Sequence, residues 1–294
     1  MAAAPDLVAG AWDLHVHAAP SLFPRWGSAW ELAQACRDAG MAGVVLKSHH
    51  GSSVESAAAV AEHAAPLRVL GGVVLNDFVG GLNPFAVESS LALGGRIVWL
   101  PTIHAAGHGD AFGVLGGFPF QQSRVVRQPS SGIRLLDGRG RPSAALRDIL
   151  DIMHGRDAVL GSGHASAAEI LALAAVIRDE RLRIRLLLNH VFFKVPALSI
   201  DELRALRSDD TWFELAYFTV SPHGNATVAE VAGRINELPD ASWVMVSDSG
   251  QQTNPPSPEA LATFAGGLID AGLDRARVRR MLVDEPRRLL GSTS

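Results

Sequence analysis

Three residues near the start of the chain, Asp13, His15 and His17, alternate with apolar neighbours in the run Trp12-Asp-Leu-His-Val-His17. An extended strand turns alternate side chains to the same side, so this spacing predicts one face carrying all three. Two imidazoles at i and i+2 near a strand end can hold one divalent cation between them, with nitrogens about 2.0–2.1 Å away if the ion is zinc. Such a cation acidifies a water and polarises a carbonyl, which is the chemistry of hydrolysis. Ligand-type residues also close three later apolar runs: His164 after Leu160-Gly-Ser-Gly, His190 after Leu186-Leu-Leu-Asn, and Asp248 after Val244-Met-Val-Ser. Each continues the two-residue period of its run, which predicts the same facing. A single histidine in such a place is equally well a hydrogen-bonded core residue. Five ligand-type side chains from four separate runs are hard to explain as packing, because each would need its own buried partner.

Lys47 adds a further feature. Only Lys47 and Lys194 are lysines among 26 basic residues, and Lys47 interrupts the apolar run Val44-Val-Leu-Lys-Ser48, where an unpaired ammonium is costly. Its period aligns it with Val45 and His49, so it faces the same mouth, as a partner for a charged substrate group or in a salt bridge to Asp13. His49, His50 and His104 lie at or just past the ends of strand-like runs, where ligating, supporting and loop roles stay open. Glu214 alternates with Trp212 and Ala216 and is predicted to point inward as a carboxylate that orients a ligating histidine. His63 and His154 fall in helical stretches on the expected surface, and His108 and His223 fall in loops. Arg124, Arg127 and Arg134 offer charge to an anionic substrate group, although solvated loop arginines are the commoner case.

These residues need a scaffold that gathers distant strand ends. Eight β-rich apolar runs cover residues 11–17, 42–48, 68–75, 96–102, 158–163, 183–189, 211–217 and 242–247. Amphipathic helical stretches separate them, over 28–39, 54–64, 84–93, 143–154, 165–180 and 227–238. Ser28-Ala-Trp-Glu31 and Ser199-Ile-Asp-Glu202 have the capping-box spacing of helix starts. Alternating elements predict the α/β class, and eight of them a (β/α)8 TIM barrel, one domain over 1–294, with its active site at the C-terminal strand ends. No Gly-x-Gly-x-x-Gly or P-loop pattern follows a strand, which weighs against nucleotide-binding folds. One long Gly- and Phe-rich connection, about 103–142, reads as a lid or substrate loop inserted after the fourth strand, with a small hairpin over 133–136 turning at Asp137-Gly138.

The bulk composition fits that scaffold. The 294 residues are 48% hydrophobic and 19% charged, enough apolar material for one large core. A net charge of −4 supplies no basic stripe, so nucleic acid and anionic membranes are disfavoured as partners and a small-molecule substrate is expected. Cys36 stands alone, which rules out an intramolecular disulfide and a multi-cysteine metal site. With no signal-like N-terminus and no apolar stretch of the ~20 residues a bilayer requires, a cytoplasmic setting is expected.

The set Asp13-x-His15-x-His17 on the first strand, with histidines on the fifth and sixth and an aspartate on the eighth, resembles the amidohydrolase superfamily of metal-dependent hydrolases. The tail Glu285-Pro-Arg-Arg-Leu-Leu-Gly291 is similar to the Asn-Pro-x-Arg-Leu-Leu-Gly ending common there, with Glu285 replacing the first Asn, so the likeness spans nearly the whole chain. Val45-Leu-Lys-Ser-His-His50 and Val98-Trp-Leu-Pro-Thr102 are similar to an uncharacterised branch without an assigned substrate. The resemblance implies that His15, His17, His164, His190 and Asp248 are metal ligands or their catalytic neighbours around one or two divalent ions. Zinc is favoured by the imidazoles, while Mn, Fe, Co or Ni tolerate the same set. Two-metal members often bridge their ions with a carboxylated lysine or a glutamate on strand four. Here that strand ends in Thr102 and then His104, so Lys47 becomes the candidate carboxylated bridge. Burial would supply the neutral amine that carbamate formation needs.

The expected reaction is hydrolysis of a C–N or C–O bond in an amide, cyclic amide, lactone or ester. Asp248 moves the proton, and His190 either stabilises the carbonyl oxygen or completes a second metal site. A non-oxidative decarboxylase, a phosphoesterase and an inactive binding barrel are the alternatives, since one scaffold hosts many reactions. Assembly into a homo-oligomer stays open.

Overall fold

A computed structural model describes residues 5–121, 123, 129 and 131–291. Short apolar runs become the parallel strands β1 (Trp12–Val16), β2 (Gly43–Leu46), β3 (Arg68–Leu70), β4 (Gly72–Val74), β5 (Ile97–Trp99), β6 (Val159–Gly161), β7 (Arg185–Leu188), β8 (Thr211–Ala216) and β9 (Trp243–Val246). The helices are α1 (Ala29–Asp38), α2 (Val54–Ala64), α3 (Pro84–Ala92), α4 (Ala106–Phe112), α5 (Ala144–Met153), α6 (Ala167–Asp179), α7 (Ile200–Leu206), α8 (Val228–Glu237), α9 (Ser257–Asp270), α10 (Arg275–Leu282) and α11 (Asp284–Leu290). The capping boxes at Ser28 and Ser199 form as their spacing predicts, and Ser166 and Thr227 add two more.

Strands pair in the orders β1-β2-β3 and β4 through β9. β3 and β4 are halves of one extended stretch interrupted at Gly71, the first pairing with β2 and the second with β5. At the far edge, Asp248 N–H donates to the His15 carbonyl and His17 N–H to the Ser249 carbonyl, both at 2.9 Å, so β9 meets β1. Eight strand positions thus run round a ring, the α/β barrel arrangement. Trp12, Leu14, Val45, Trp99, Val159, Leu187, Trp212 and Val244 fill its interior, and Leu289 and Leu290 of α11 pack beneath them. A larger outer layer packs strand residues such as Val44, Leu160, Phe213 and Met245 against the helices through Leu32, Leu146, Leu173 and Leu268. No helix among the described residues is long and apolar enough to cross a membrane.

β1 breaks the regular alternation. Trp12 and Leu14 face the interior, Val16 faces the helices, and the register with β2 slips between Asp13 and Val16. This bulge puts His15 and His17 inside the barrel and leaves Asp13 outside, which corrects the expectation that the three share a face. Asp13 also forms no salt bridge to Lys47, which faces the interior. It accepts instead from Ser247 N at 3.1 Å, from the Ser247 hydroxyl, from Ser257 Oγ at 2.6 Å and from His15 N at 3.2 Å. Burial raises the Asp13 carboxyl above its ordinary range, against the Ser247 and Ser257 bonds.

The connection over 103–142 carries the helix α4 near its start. The turn at Asp137 forms, with Asp137 N–H donating to the Arg141 carbonyl at 2.7 Å and Leu136 bridging Pro142. Arg124 and Arg127 lie outside the described residues, and Arg134 is exposed.

Because Asp13 joins β1, β9 and α9, Asp13→Ala strands two buried hydroxyls and two buried N–H groups. It should lower unfolding free energy by about 2–4 kcal/mol in urea melts. A loss under about 1 kcal/mol would mean that water replaces the carboxylate and that the three elements do not rely on it.

Candidate metal centre

The bulge on β1 and the closure of β9 against it bring His15, His17 and Asp248 to one point. Asp248 Oδ1 stands 3.1 Å from His15 Nε2 and 3.2 Å from His17 Nε2, and one ligand atom from each of the three lies within 4.8 Å of the others. The backbone pays for this convergence: Asp248 has φ +48°, in the left-handed region that a non-glycine residue adopts at a cost of order 1 kcal/mol or more. Two residues on, Gly250 has φ +126°, and a Cβ there would sit 2.2 Å from the His17 carbonyl oxygen. Glycine is therefore required beside the site.

His164 and His190 reach the same cavity by another route. Leu160, Leu186 and Leu188 pack in the outer layer with the helices, so the two-residue period does not carry the later histidines inward as expected. The chain swings them in at the strand ends, through left-handed Gly163 (φ +58°) and through His190 itself (φ +28°). For Asp248 the period does hold, since Val244 and Val246 are interior. His15 and His190 have ring centroids 5.9 Å apart, and His164 and His190 5.0 Å.

Hydrogen bonds fix which nitrogen of each ring is bare. His17 Nδ1 lies 2.8 Å from the Lys47 carbonyl, which can only accept, so Nδ1 carries the proton and Nε2 of the neutral ring is a lone pair. His15 Nδ1 lies 2.9 Å from Glu214 Oε1 and donates to that carboxylate, leaving His15 Nε2 to face Asp248. A relay sets His164: His108 Nε2 donates to the Gly117 carbonyl at 2.8 Å, so His108 Nδ1 accepts from His164 Nδ1 at 2.8 Å, and Nε2 of His164 is bare. Glu214 also accepts from Asn189 Nδ2 at 2.8 Å and His190 N at 3.0 Å, which ties β7 and β8 to β1.

The charges follow. Burial pushes His17 down to about 3 and His190 and His108 down to about 4, and holds His164 well below the usual imidazole range. Burial opposes charge on His15 as well, but the Asp248 and Glu214 carboxylates overcome it, against Lys47, and raise the ring to about 9. Burial works to raise Asp248, yet the facing His15 and His17 hold it well below the ordinary carboxylate range. The point shared by these three groups therefore stabilises positive charge. Two imidazole lone pairs and a carboxylate oxygen cannot face one another stably without it, and a divalent cation meets that requirement as a proton on His15 does.

Lys47 enters the cavity as its period predicts. Its Nζ is 2.9 Å from His15 Nε2 and 5.4 Å from the centroid of the Trp99 ring, and burial lowers it to about 8. His49 lines the cavity, stacked on His17 at 4.6 Å with Nδ1 2.9 Å from Thr102 Oγ1. Glu214 faces inward as expected, behind His15. His104 does not reach the cavity; its Nδ1 accepts from Asp77 N at 3.0 Å and its ring lies against Phe78. His108, expected in an unengaged loop, is buried in α4 and sets the His164 tautomer. Only its place in the connection after the fourth strand hinted at this. Arg25, in the connection from β1 to α1, lines the cavity and was not singled out, although a base so soon after His17 on a barrel's C-terminal side was a signal. Phe118, Phe120, Phe193 and Phe218 complete an apolar wall.

No curated protein matches the chain in sequence. Among solved structures it is similar to an amidohydrolase from Pseudomonas aeruginosa, at 14% identity and TM-score 0.59 with 97% of each chain covered. It is also similar to the probable dipeptidase PvdM from Pseudomonas aeruginosa, at 10% identity and TM-score 0.58, covering 98% of this chain and 96% of that one. A dihydroorotase matches at 13% identity and TM-score 0.54, covering 96% of this chain and 69% of its own. Likeness at these identities is likeness of fold, and the fold these structures share with the chain is the α/β barrel. Membership is shown closer to home: the model of DUF6282, a family of unknown function, matches residues 10–214, more than half of the chain, and the chain belongs to that family.

Proposed function

We propose that the protein is a metal-dependent hydrolase that cleaves a C–N or C–O bond of a small molecule. The observation that carries this reading is the convergence of His15 Nε2, His17 Nε2 and one carboxylate oxygen at the C-terminal ends of adjoining strands. His15, His17 and Asp248 would hold a divalent cation, with zinc first by ligand type and His164 and His190 close enough in the cavity for a second. A cation held there supplies Lewis acidity, bringing a water's pKa toward ~7 and polarising a carbonyl.

The chain's own groups do the rest. Asp248 turns Oδ1 to the two imidazoles, which leaves Oδ2 to take the proton of the attacking water and return it to the departing nitrogen or oxygen. His190, held neutral at working pH, cannot act as a strong acid but can donate one hydrogen bond to the carbonyl oxygen as it gains charge. Its Nδ1 is buried and has no hydrogen-bond partner among the described residues. Glu214 and the Lys47 carbonyl hold the His15 and His17 rings against rotation. Lys47, buried with a lowered pKa, is a candidate for carboxylation into a bridge between two ions.

Purified protein should contain close to one or two equivalents of metal by elemental analysis, and the double variant His15→Ala, His17→Ala less than ~0.2 equivalents with its circular dichroism largely intact. Stoichiometric metal in the double variant would assign the site elsewhere. Asp248→Asn should cost about 10²- to 10⁴-fold in kcat while moving the melting temperature little, as measured on whichever ester, lactone or amide the wild type cleaves. A near-normal rate removes Asp248 as the base.

The buried neutral imidazoles also predict acid sensitivity. His17, His108 and His190 titrate near 6.5 when unfolded but at about 3, 4 and 4 when folded. The unfolded chain thus binds more protons between these values. The contribution of these three rings to stability is fully present above pH 6.5 and is lost as pH falls toward 4, by up to about 1.4 kcal/mol per pH unit for each proton. Denaturant melts of chelator-treated protein across that window read it, and an unchanged midpoint would mean that these rings are not neutral and buried together.

A further inference from the structure

Arg25 is the one side chain of the cavity whose charge the hydrolytic reading leaves unused. It is 9% exposed, and its only hydrogen bond among the described residues runs from Nε to Ser21 Oγ at 3.2 Å. It takes part in no ion pair among the described residues, although Phe23 lies under the guanidinium at 5.5 Å. The two terminal nitrogens therefore have no hydrogen-bond partner among the described residues, and the residue lines the same cavity as Lys47 and Asp248. A guanidinium does not lose its charge at working pH, and the Asp248 carboxylate acts on this one only at a distance, so its burial is costly unless a directly hydrogen-bonded anion arrives with a ligand.

The surroundings keep that fork in place. The backbone beside it is pinned by Ala19 N–H to the Gly27 carbonyl at 2.8 Å and by Trp26 N–H to the Gly250 carbonyl at 2.8 Å. Gln121 Nε2 donates to the Pro24 carbonyl at 3.1 Å and draws the long connection over it. That connection brings Phe118 and Phe120, whose rings stack at 5.1 Å, and Phe120 continues to Phe218 at 6.1 Å. The cavity thus offers aromatic rings together with a planar two-donor cation. Arg25 and Lys47 against the single lining carboxylate of Asp248 leave it net positive before any divalent ion is added.

We propose that Arg25 binds a free carboxylate of the substrate through its two terminal nitrogens, so that the compound cleaved is a carboxylate-bearing amide, ester or lactone whose apolar group lies on the Phe118, Phe120 and Phe218 wall. This rests on the hydrolytic reading for the bond broken, but the carboxylate subsite stands on Arg25 alone. Planar, bidentate recognition suits a carboxylate.

Phenylacetate and phenylacetamide form a matched probe pair for calorimetric titration of the full-length protein. Wild type should bind phenylacetate about tenfold or more tightly than the amide, and Arg25→Gln should lose that preference while Arg25→Lys keeps part of it. Because the wild-type comparison needs no variant, a folding defect in Arg25→Gln does not remove the test. Equal or absent binding of the two probes by wild type overturns the proposal. So does a preference that survives Arg25→Gln, since the carboxylate would then sit elsewhere, on a cation or on Lys47. Metal content reads the hydrolytic reading separately: a metal-free protein that still prefers phenylacetate through Arg25 would sink the reaction and keep the subsite.

Discussion

Everything in the mouth of this barrel depends on keeping the Nε2 atoms of His15 and His17 pointed at a buried carboxylate. An imidazole left to itself presents either nitrogen, and a ring that turns by half a revolution replaces an acceptor with a donor. Here each Nδ1 is tied to a group that only accepts or that has been made to accept: the Lys47 carbonyl for His17, Glu214 for His15, and His108 for His164. The consequence is an electrostatic arrangement that is poor in water-free protein and good around positive charge. The folded chain thus stores a preference for a cation, and it does so with groups that lie behind the ligands rather than with the ligands themselves.

Keeping those rings in register needs the barrel to be closed and stiff at this end. Glu214 is the main tie, since one carboxylate meets His15 from β1, Asn189 and the His190 backbone from the end of β7, while Asn189 in turn accepts from Gly163 N–H at 2.9 Å beyond β6. On the outer side Asp13 does the same for β1, β9 and α9. A buried carboxylate is expensive to desolvate, and each of these is supported by three or more donors, which is the condition under which burial is tolerated. The left-handed backbone at His190 and Asp248 is held in place by the same network, so strain at the ligands is offset by bonding one layer away.

Which parts of this were legible in the sequence follows from what a strand encodes. The count of eight apolar runs and the alternation with helices come from burial on both faces of a parallel sheet, and they predicted the architecture. Interior facing of Lys47, His49 and Glu214 came from the two-residue period and holds in the structure. The period misplaced Asp13 because a bulge is a local choice of hydrogen bonding that leaves no mark in hydrophobicity, and it carried His164 and His190 inward for the wrong reason. Those two are turned by positive φ at Gly163 and His190, of which only the glycine is visible in a sequence. His108 reads only as a loop residue because its partner His164 is set by tertiary contact, and Arg25 is not picked out by its partners Ser21 and Phe23, which are local, whereas its place in the cavity comes from the fold of the connection.

That division of what can be read has a functional counterpart. Groups suited to the reaction sit at strand ends, where the barrel's geometry dictates their positions and where solved structures of only 10–14% identity share the same frame. Groups suited to choosing a substrate sit on connections: Arg25 after β1, and Phe118 and Phe120 between α4 and α5. Strand ends can move little without breaking the ring, whereas the connections can change length and sequence at small cost to the core. A barrel of this kind can therefore hold its strand-end groups fixed while the connections around them change, which places the loop-borne cation and its aromatic neighbours, rather than the histidines, where variation costs the fold least.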